Sequence, residues 1–144
     1  MNVLFVCTGN TCRSPMAEAL FNSVSNDDNH KAFSRGISVF FPQPISKKAL
    51  TVLNKMGIDA RDKYSQQISE EDLKKADLVL TMTSSHKMFL KSSFPAYRDK
   101  IYSLKEKAYG KESDIEDPYG QSEEVYLRCL REITEAINEI ICSI

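Results

Sequence analysis

Cys7 and Arg13 enclose five residues, Thr8-Gly9-Asn10-Thr11-Cys12, and Ser14 follows directly. Five residues of turn conformation, with Gly9 and Asn10 able to take positive φ, can wrap backbone N–H groups around an anion the size of phosphate. A helix opening directly after the loop adds the positive end of its dipole. Arg13 adds a bidentate fork to two phosphate oxygens. The same field favours a thiolate at Cys7, with a pKa expected well below the usual value of about 8.5. A thiolate beneath a bound phosphate is an in-line nucleophile. Ser14 can donate a hydrogen bond to that sulfur, restraining it when free and stabilising it when it leaves phosphorus. The chemistry also needs a carboxylic acid opposite the nucleophile, first to protonate the leaving group and then to activate water. Asp117, ahead of Pro118, is the candidate, although Asp-Pro alone is a common turn initiator.

A cysteine and an arginine at this spacing arise easily by chance, so the flanking elements decide the reading. Val3-Leu4-Phe5-Val6 is a continuous apolar run of strand length directly before the loop, and Ser14-Pro15 directly after it predicts a helix N-cap and first helical position. A weaker strand is expected over Phe33 to Phe40, then a helix from Pro44 to Met56 stopped by Gly57. Ser69-Glu70-Glu71-Asp72 opens a short helix, Leu78-Val79-Leu80 is a second buried strand, and a helix around Ser85 to Lys91 follows. Lys100 to Leu104 reads as a further strand before a polar loop, Tyr109 to Glu116. From Ser122 to Ile141, apolar residues recur every four positions, which predicts a long amphipathic helix with Glu123 and Glu124 in its first turn. Alternating strands and helices predict an α/β fold: a doubly wound parallel sheet with helices on both faces. Ligands of such sheets bind beyond the carboxyl ends of the strands, which is where the loop after the first strand lies.

The 144 residues are 42% hydrophobic and 27% charged, a composition that predicts one globular domain over 1–144. Nineteen basic against 20 acidic side chains, with a pI near 6.1 and no Lys/Arg cluster, argue against a nucleic-acid partner. No apolar stretch approaches the ~18–20 residues of a membrane span, and the apolar N-terminal run lacks the basic residues and cleavage site of a signal peptide. A reducing cytoplasm is the expected location. Cys129 falls on the apolar face of the last helix, and Cys142 sits some 220° further around it, so these two are not expected to pair. His30 reads as a loop residue and His86 as the start of a surface helix; with no Cys/His/Asp cluster at ligand spacing, no metal or other cofactor is predicted. The loop curls Cys12 back towards Cys7, which makes a reversible Cys7–Cys12 bond under oxidation the expected redox chemistry.

Positions 6 to 18, Val-Cys-Thr-Gly-Asn-Thr-Cys-Arg-Ser-Pro-Met-Ala-Glu, together with Asp117-Pro118-Tyr119, resemble the low-molecular-weight protein phosphatases, and the resemblance extends over the whole chain. It implies a four-stranded parallel sheet, a phosphocysteine at Cys7, phosphate held by the loop Thr8 to Ser14 with Arg13 as its main side chain, and Asp117 as general acid. Asn10 matches the asparagine that holds the loop in shape, and Ser14 the serine that assists the thiolate. Phosphorylated proteins are the implied substrates. Tyrosine-directed members usually carry an aliphatic residue where this chain has Thr11, and two adjacent aromatics where it has Tyr119-Gly120. Thr11 and the single Tyr119 look instead like the protein-arginine phosphatase branch. Phe40, or its neighbour Phe41, is the candidate for the opposite wall. The segment Lys63 to Gln67 lacks a histidine common in the family.

Three functions compete. Phosphoarginine hydrolysis in proteins is the first, with phosphotyrosine hydrolysis the alternative. Thiol-linked arsenate reduction shares much of the loop but needs relay cysteines in mid-chain, and none lies between Cys12 and Cys129. A catalytically silent phospho-residue binder is expected to lose Cys7 or Asp117, and both are present.

Overall fold

The computed structural model describes residues 1–25 and 27–144. Its four strands are β1 (Asn2–Cys7), β2 (Lys31–Gly36), β3 (Leu78–Thr81) and β4 (Ile101–Ser103). They form one parallel sheet in the order β2-β1-β3-β4. The helices are α1 (Arg13–Val24), α2 (Lys47–Lys55), α3 (Glu70–Lys75), α4 (Ser84–Ser93), α5 (Leu104–Tyr109) and α6 (Glu123–Ser143).

The period of two along each strand sends alternate side chains to opposite faces. Val3, Phe5, Leu78 and Leu80 meet residues of α1, α2 and α6, among them Leu20, Val52 and Ile133, in the larger core. Leu4, Val6, Val79 and Ile101 meet Leu73 of α3 and Leu90 of α4 in the smaller one. Both faces are covered, which is why the central strands read as unbroken apolar runs. The chain leaves β1 to one side for β2 and crosses to the other side for β3, so the strand order reverses between β1 and β3. That reversal opens a crevice at their carboxyl ends.

Several boundaries differ from the sequence reading, each for a local reason. α1 starts at Arg13 with Cys12 at its N-cap and no side-chain cap, because Ser14 turns its hydroxyl to Cys7 and Asn10 instead. β2 ends at Gly36 rather than Phe40, since its register with β1 runs only from Asn2↔Lys31 to Cys7↔Gly36. α2 begins after Ser46, whose side chain caps it; Pro44 instead bridges Tyr64. Leu104 opens α5 rather than ending a strand. Ser103 and Glu106 form a capping box there, and Gly110, at φ 75°, stops the helix. A 3₁₀ turn over Pro95–Lys100, which the sequence reading lacks, precedes β4.

Candidate active site

The loop after β1 is shaped by where its carbonyls go. The carbonyls of Cys7 and Thr8 accept from Ile37 and Ser38 N–H at 3.0 Å each, and that of Thr11 accepts from Ser46 N–H at 2.9 Å. The Cys12 carbonyl accepts from Met16 N–H within α1 at 3.1 Å. Because C=O and the next N–H point in opposite directions across a planar peptide, carbonyls held outward turn the N–H groups of Thr8, Gly9, Cys12 and Arg13 inward. Asn10 makes the turn possible with φ 58°. Gly9 does not adopt a left-handed backbone. Gly36 matters through contact: a Cβ there would stand 2.7 Å from the Thr8 carbonyl oxygen and 2.6 Å from Val39 Cγ2.

A cavity of about 220 Å³ opens above this loop, lined by Cys7, Thr8, Gly9, Thr11, Cys12, Asp117 and Tyr119. Cys7 Sγ lies 2.8 Å from Ser14 Oγ. Arg13, almost fully buried, donates from one nitrogen to the Ile115 carbonyl at 2.9 Å and faces Asp117 Oδ2 from another at 3.8 Å. The helix-borne guanidinium thus ties the loop after β1 to the C-terminal segment. Asp117 Oδ1 accepts from Tyr119 N–H at 3.1 Å, an Asx turn that sets both side chains at the cavity rim. Glu116 does not line the cavity.

Behind the loop runs a chain of polar contacts. Asn10 Nδ2 donates to Ser14 Oγ at 2.8 Å and to Ser34 Oγ on β2 at 2.9 Å, and Ser34 Oγ donates to Glu18 Oε1 at 2.7 Å. Glu18 pairs with Lys63 at 3.0 Å, and Lys63 also donates to the Ser34 carbonyl. Asn10 Oδ1 accepts from Gln66 N–H. The Lys63 to Gln67 segment therefore reaches the loop through Lys63 and the Gln66 backbone, without a histidine. A larger cavity, about 390 Å³, has Glu18 and Lys63 in its wall, but no Cys, Ser or Thr lines it.

Three expectations change. Burial pushes the Cys7 thiol up from its ordinary value, outweighing the Ser14 hydroxyl and backbone N–H, Arg13 and the Asn10 N–H, which all pull it down. Cys7 is only 3% exposed, so desolvation dominates over the dipoles that sequence reasoning weighs. Phe40 does not line the cavity; it is 93% exposed on the loop after β2, and Phe41 is exposed beside it. His86 is not at the surface: it is 5% exposed, and its Nε2 lies 2.8 Å from Thr8 Oγ1. The signal for it was the topology, since a helix opening after β3 must abut the loop after β1. Ser34, Glu18 and Lys63 were also missed. Only Glu18, four residues after Ser14 and so on the same face of α1, was open to inference.

Cys12 Sγ stands 3.3 Å from Tyr126 OH and 3.4 Å from Ser46 Oγ, and lines the same cavity as Cys7. No disulfide joins the four cysteines; Cys129 is buried on α6 and Cys142 exposed. Among the described residues no group of three His, Cys, Asp or Glu side chains is placed to hold a metal ion, and no helix is long and apolar enough to cross a membrane.

The family model for low molecular weight phosphotyrosine protein phosphatases matches residues 2–144. The chain belongs to that family. The phosphatase is 41% identical over 143 residues to the protein-arginine-phosphatase of Bacillus subtilis, covering 97% of this chain and 94% of the relative. Among solved structures, a low molecular weight protein tyrosine phosphatase from T. tengcongensis superposes with a TM-score of 0.95 at 48% identity, covering 100% of this chain and 99% of the other. A variant of YwlE arginine phosphatase, described as carrying serine for cysteine and a phosphorylated active-site serine, superposes at 0.94 with 38% identity, covering 99% and 95% of the two chains.

Proposed function

We propose that this phosphatase hydrolyses phosphoarginine in proteins through a phosphocysteine formed on Cys7. The observation that carries the reading is the loop itself: carbonyls tied outward, a buried cysteine at the base and a carboxylate at the rim. The loop N–H groups from Thr8 to Ser14 and the Arg13 fork bind the phosphoryl oxygens. Cys7 sulfur attacks phosphorus as the bond to the leaving nitrogen breaks, and that nitrogen takes the proton of Asp117. Water then attacks phosphocysteine, gives its proton to Asp117, and releases phosphate and the Cys7 sulfur. The reactive form carries its proton on Asp117 rather than on Cys7. Burial raises the thiol and so favours the opposite arrangement, which the Ser14 hydrogen bond and Arg13 counter. A relative bearing a phosphorylated serine in place of its cysteine supports a covalent route.

Thr11 supports the preference for arginine. It lines the cavity, and among the described residues its only side-chain hydrogen-bond neighbour is Cys12 Sγ at 3.9 Å, so its hydroxyl is available to a substrate. Phosphoarginine brings N–H donors to that wall, whereas a phosphotyrosine ring buries the hydroxyl without a partner at about 1–3 kcal/mol. Thr11→Ile reverses both effects. The proposal expects wild type to favour phosphoarginine over phosphotyrosine proteins without added metal, and Thr11→Ile to move the kcat/KM ratio about 10- to 200-fold towards phosphotyrosine. A ratio unchanged within about threefold, or a wild type that already prefers phosphotyrosine, overturns it. Phosphotyrosine is the second reading, favoured by the 48% identity to a tyrosine phosphatase and by the Tyr119 ring standing at the rim, 74% exposed.

A further inference from the structure

His86 is a buried histidine beside the loop that the chemistry above does not use. It lies in the first turn of α4, whose start is fixed by Thr83: the Thr83 side chain accepts from His86 N–H at 3.2 Å, and the Thr83 carbonyl accepts from Thr81 Oγ1 at 2.7 Å. The ring reaches from the end of β3 to the loop after β1, where Nε2 meets Thr8 Oγ1 at 2.8 Å. Nδ1 is buried and has no hydrogen-bond partner among the described residues. The charged groups facing the ring are Arg13, Asp114 and Asp117.

We propose that His86 is a positioning residue, whose Nε2–H donates to Thr8 Oγ1 and so turns the Thr8 hydroxyl hydrogen into the cavity as a donor to the bound phosphoryl group. The inference rests on the reading of this loop as the phosphate site. Two steps lead to it. A buried N–H without an acceptor is rarer and costlier than a buried lone pair without a donor, which places the ring's one proton on Nε2 and the lone pair on Nδ1. Burial and the nearby Arg13 keep the ring neutral, with its pKa lowered to about 4. A threonine hydroxyl has one hydrogen and two lone pairs. Once a lone pair receives the histidine N–H, the hydrogen must point elsewhere. Thr8 is exposed on the cavity wall, so the open direction is the one a phosphoryl oxygen would occupy. A hydrogen bond to an anionic oxygen is among the stronger kinds.

The test combines three single variants and one double variant with a spectroscopic readout. Thr8→Val and His86→Leu should each lower kcat/KM about 10-fold, the effect of one charge-assisted hydrogen bond, on both phosphoarginine and a small aryl phosphate. The double variant should lose about 10-fold again in total rather than about 100-fold, because both substitutions remove one donor. His86→Gln, which restores a side-chain N–H near the position of Nε2, should recover activity to within about threefold of wild type. In wild type, nitrogen-15 shifts should report a protonated Nε2 and an unprotonated Nδ1. Multiplying losses, a glutamine variant no better than leucine, or a proton on Nδ1 overturns the proposal. Should His86→Leu fail to fold, Thr8→Val and the wild-type tautomer decide it. Activity on the aryl phosphate with none on phosphoarginine would overturn the substrate assignment while leaving this coupling measurable, and inorganic phosphate binding by the same variants reads the coupling without turnover.

Discussion

Asp117 and Cys7 divide the proposed work in a way single substitutions can separate. Asp117 is half exposed at the rim, facing Arg13 at 3.8 Å and anchored by Tyr119 N–H, so Asp117→Asn keeps the shape and removes the proton. Turnover should fall about 10²- to 10⁴-fold, the usual contribution of a positioned acid, and most for the leaving groups that most need protonation. An equal, small loss across good and poor leaving groups would move the acid elsewhere, and Glu116, outside the cavity, is the first alternative. Cys7→Ser should behave differently. It removes the sulfur but leaves the N–H cradle and Arg13, so turnover should vanish while inorganic phosphate still binds with an affinity near that of wild type. Calorimetry on the variant checks the second half, and a variant that still turns over would exclude the phosphocysteine.

At the scale of elements, the site depends on how closely β2 approaches the loop. Gly36 ends β2 where its missing side chain lets the Thr8 carbonyl pass, and the contact it would otherwise make is with backbone that cannot yield cheaply. Gly36→Ala should therefore cost about 1–3 kcal/mol of stability by overpacking, and should lower kcat/KM with it, because the displaced Thr8 carbonyl belongs to the loop. Denaturant unfolding and kinetics on one preparation test both; an alanine variant as stable and active as wild type would show that the loop has room to shift. This dependence was not legible in the sequence, whereas the loop was. Cys7, Arg13 and Ser14 stand in a fixed relation set by chain-local geometry, and the apolar run of β1 announces itself. Gly36, Ser34 and Lys63 reach the loop only through register and crossover, which spacing along the chain does not encode. The short α5 escaped for another reason. Its signal is the cap pair Ser103 and Glu106 around an apolar strand end, and a six-residue helix has too few turns to display periodicity.

Over the whole molecule, the site lies where the strand order reverses, and burying polar groups there sets the pH range in which the fold is most stable. His86 is held neutral by burial and by Arg13, only partly offset by Asp114 and Asp117, and its pKa falls from 6.5 to about 4. Between those values the unfolded chain binds a proton that the folded chain does not, so stability rises with pH through this window and is lost as pH falls from 6.5 towards 4. At the alkaline end the sign reverses. Burial raises Cys7, and raises Tyr126 and Cys129 to about 12, so the folded chain holds protons that the unfolded chain releases, and stability declines as pH climbs above the ordinary thiol value of 9.0. The lowered acids Asp27, Asp59 and Glu106 contribute only below their ordinary values of 3.8 to 4.5, largely outside the histidine window. Stability should thus be nearly flat between about pH 6.5 and 9 and should drop by about 2 kcal/mol from pH 6.5 to 4.5, most of the linkage of one buried imidazole. In His86→Leu the acid slope should largely disappear, whatever the variant's stability at neutral pH. Urea unfolding at half-unit steps measures both slopes, and an acid slope in the leucine variant equal to that of wild type would place the titrating group elsewhere in the fold.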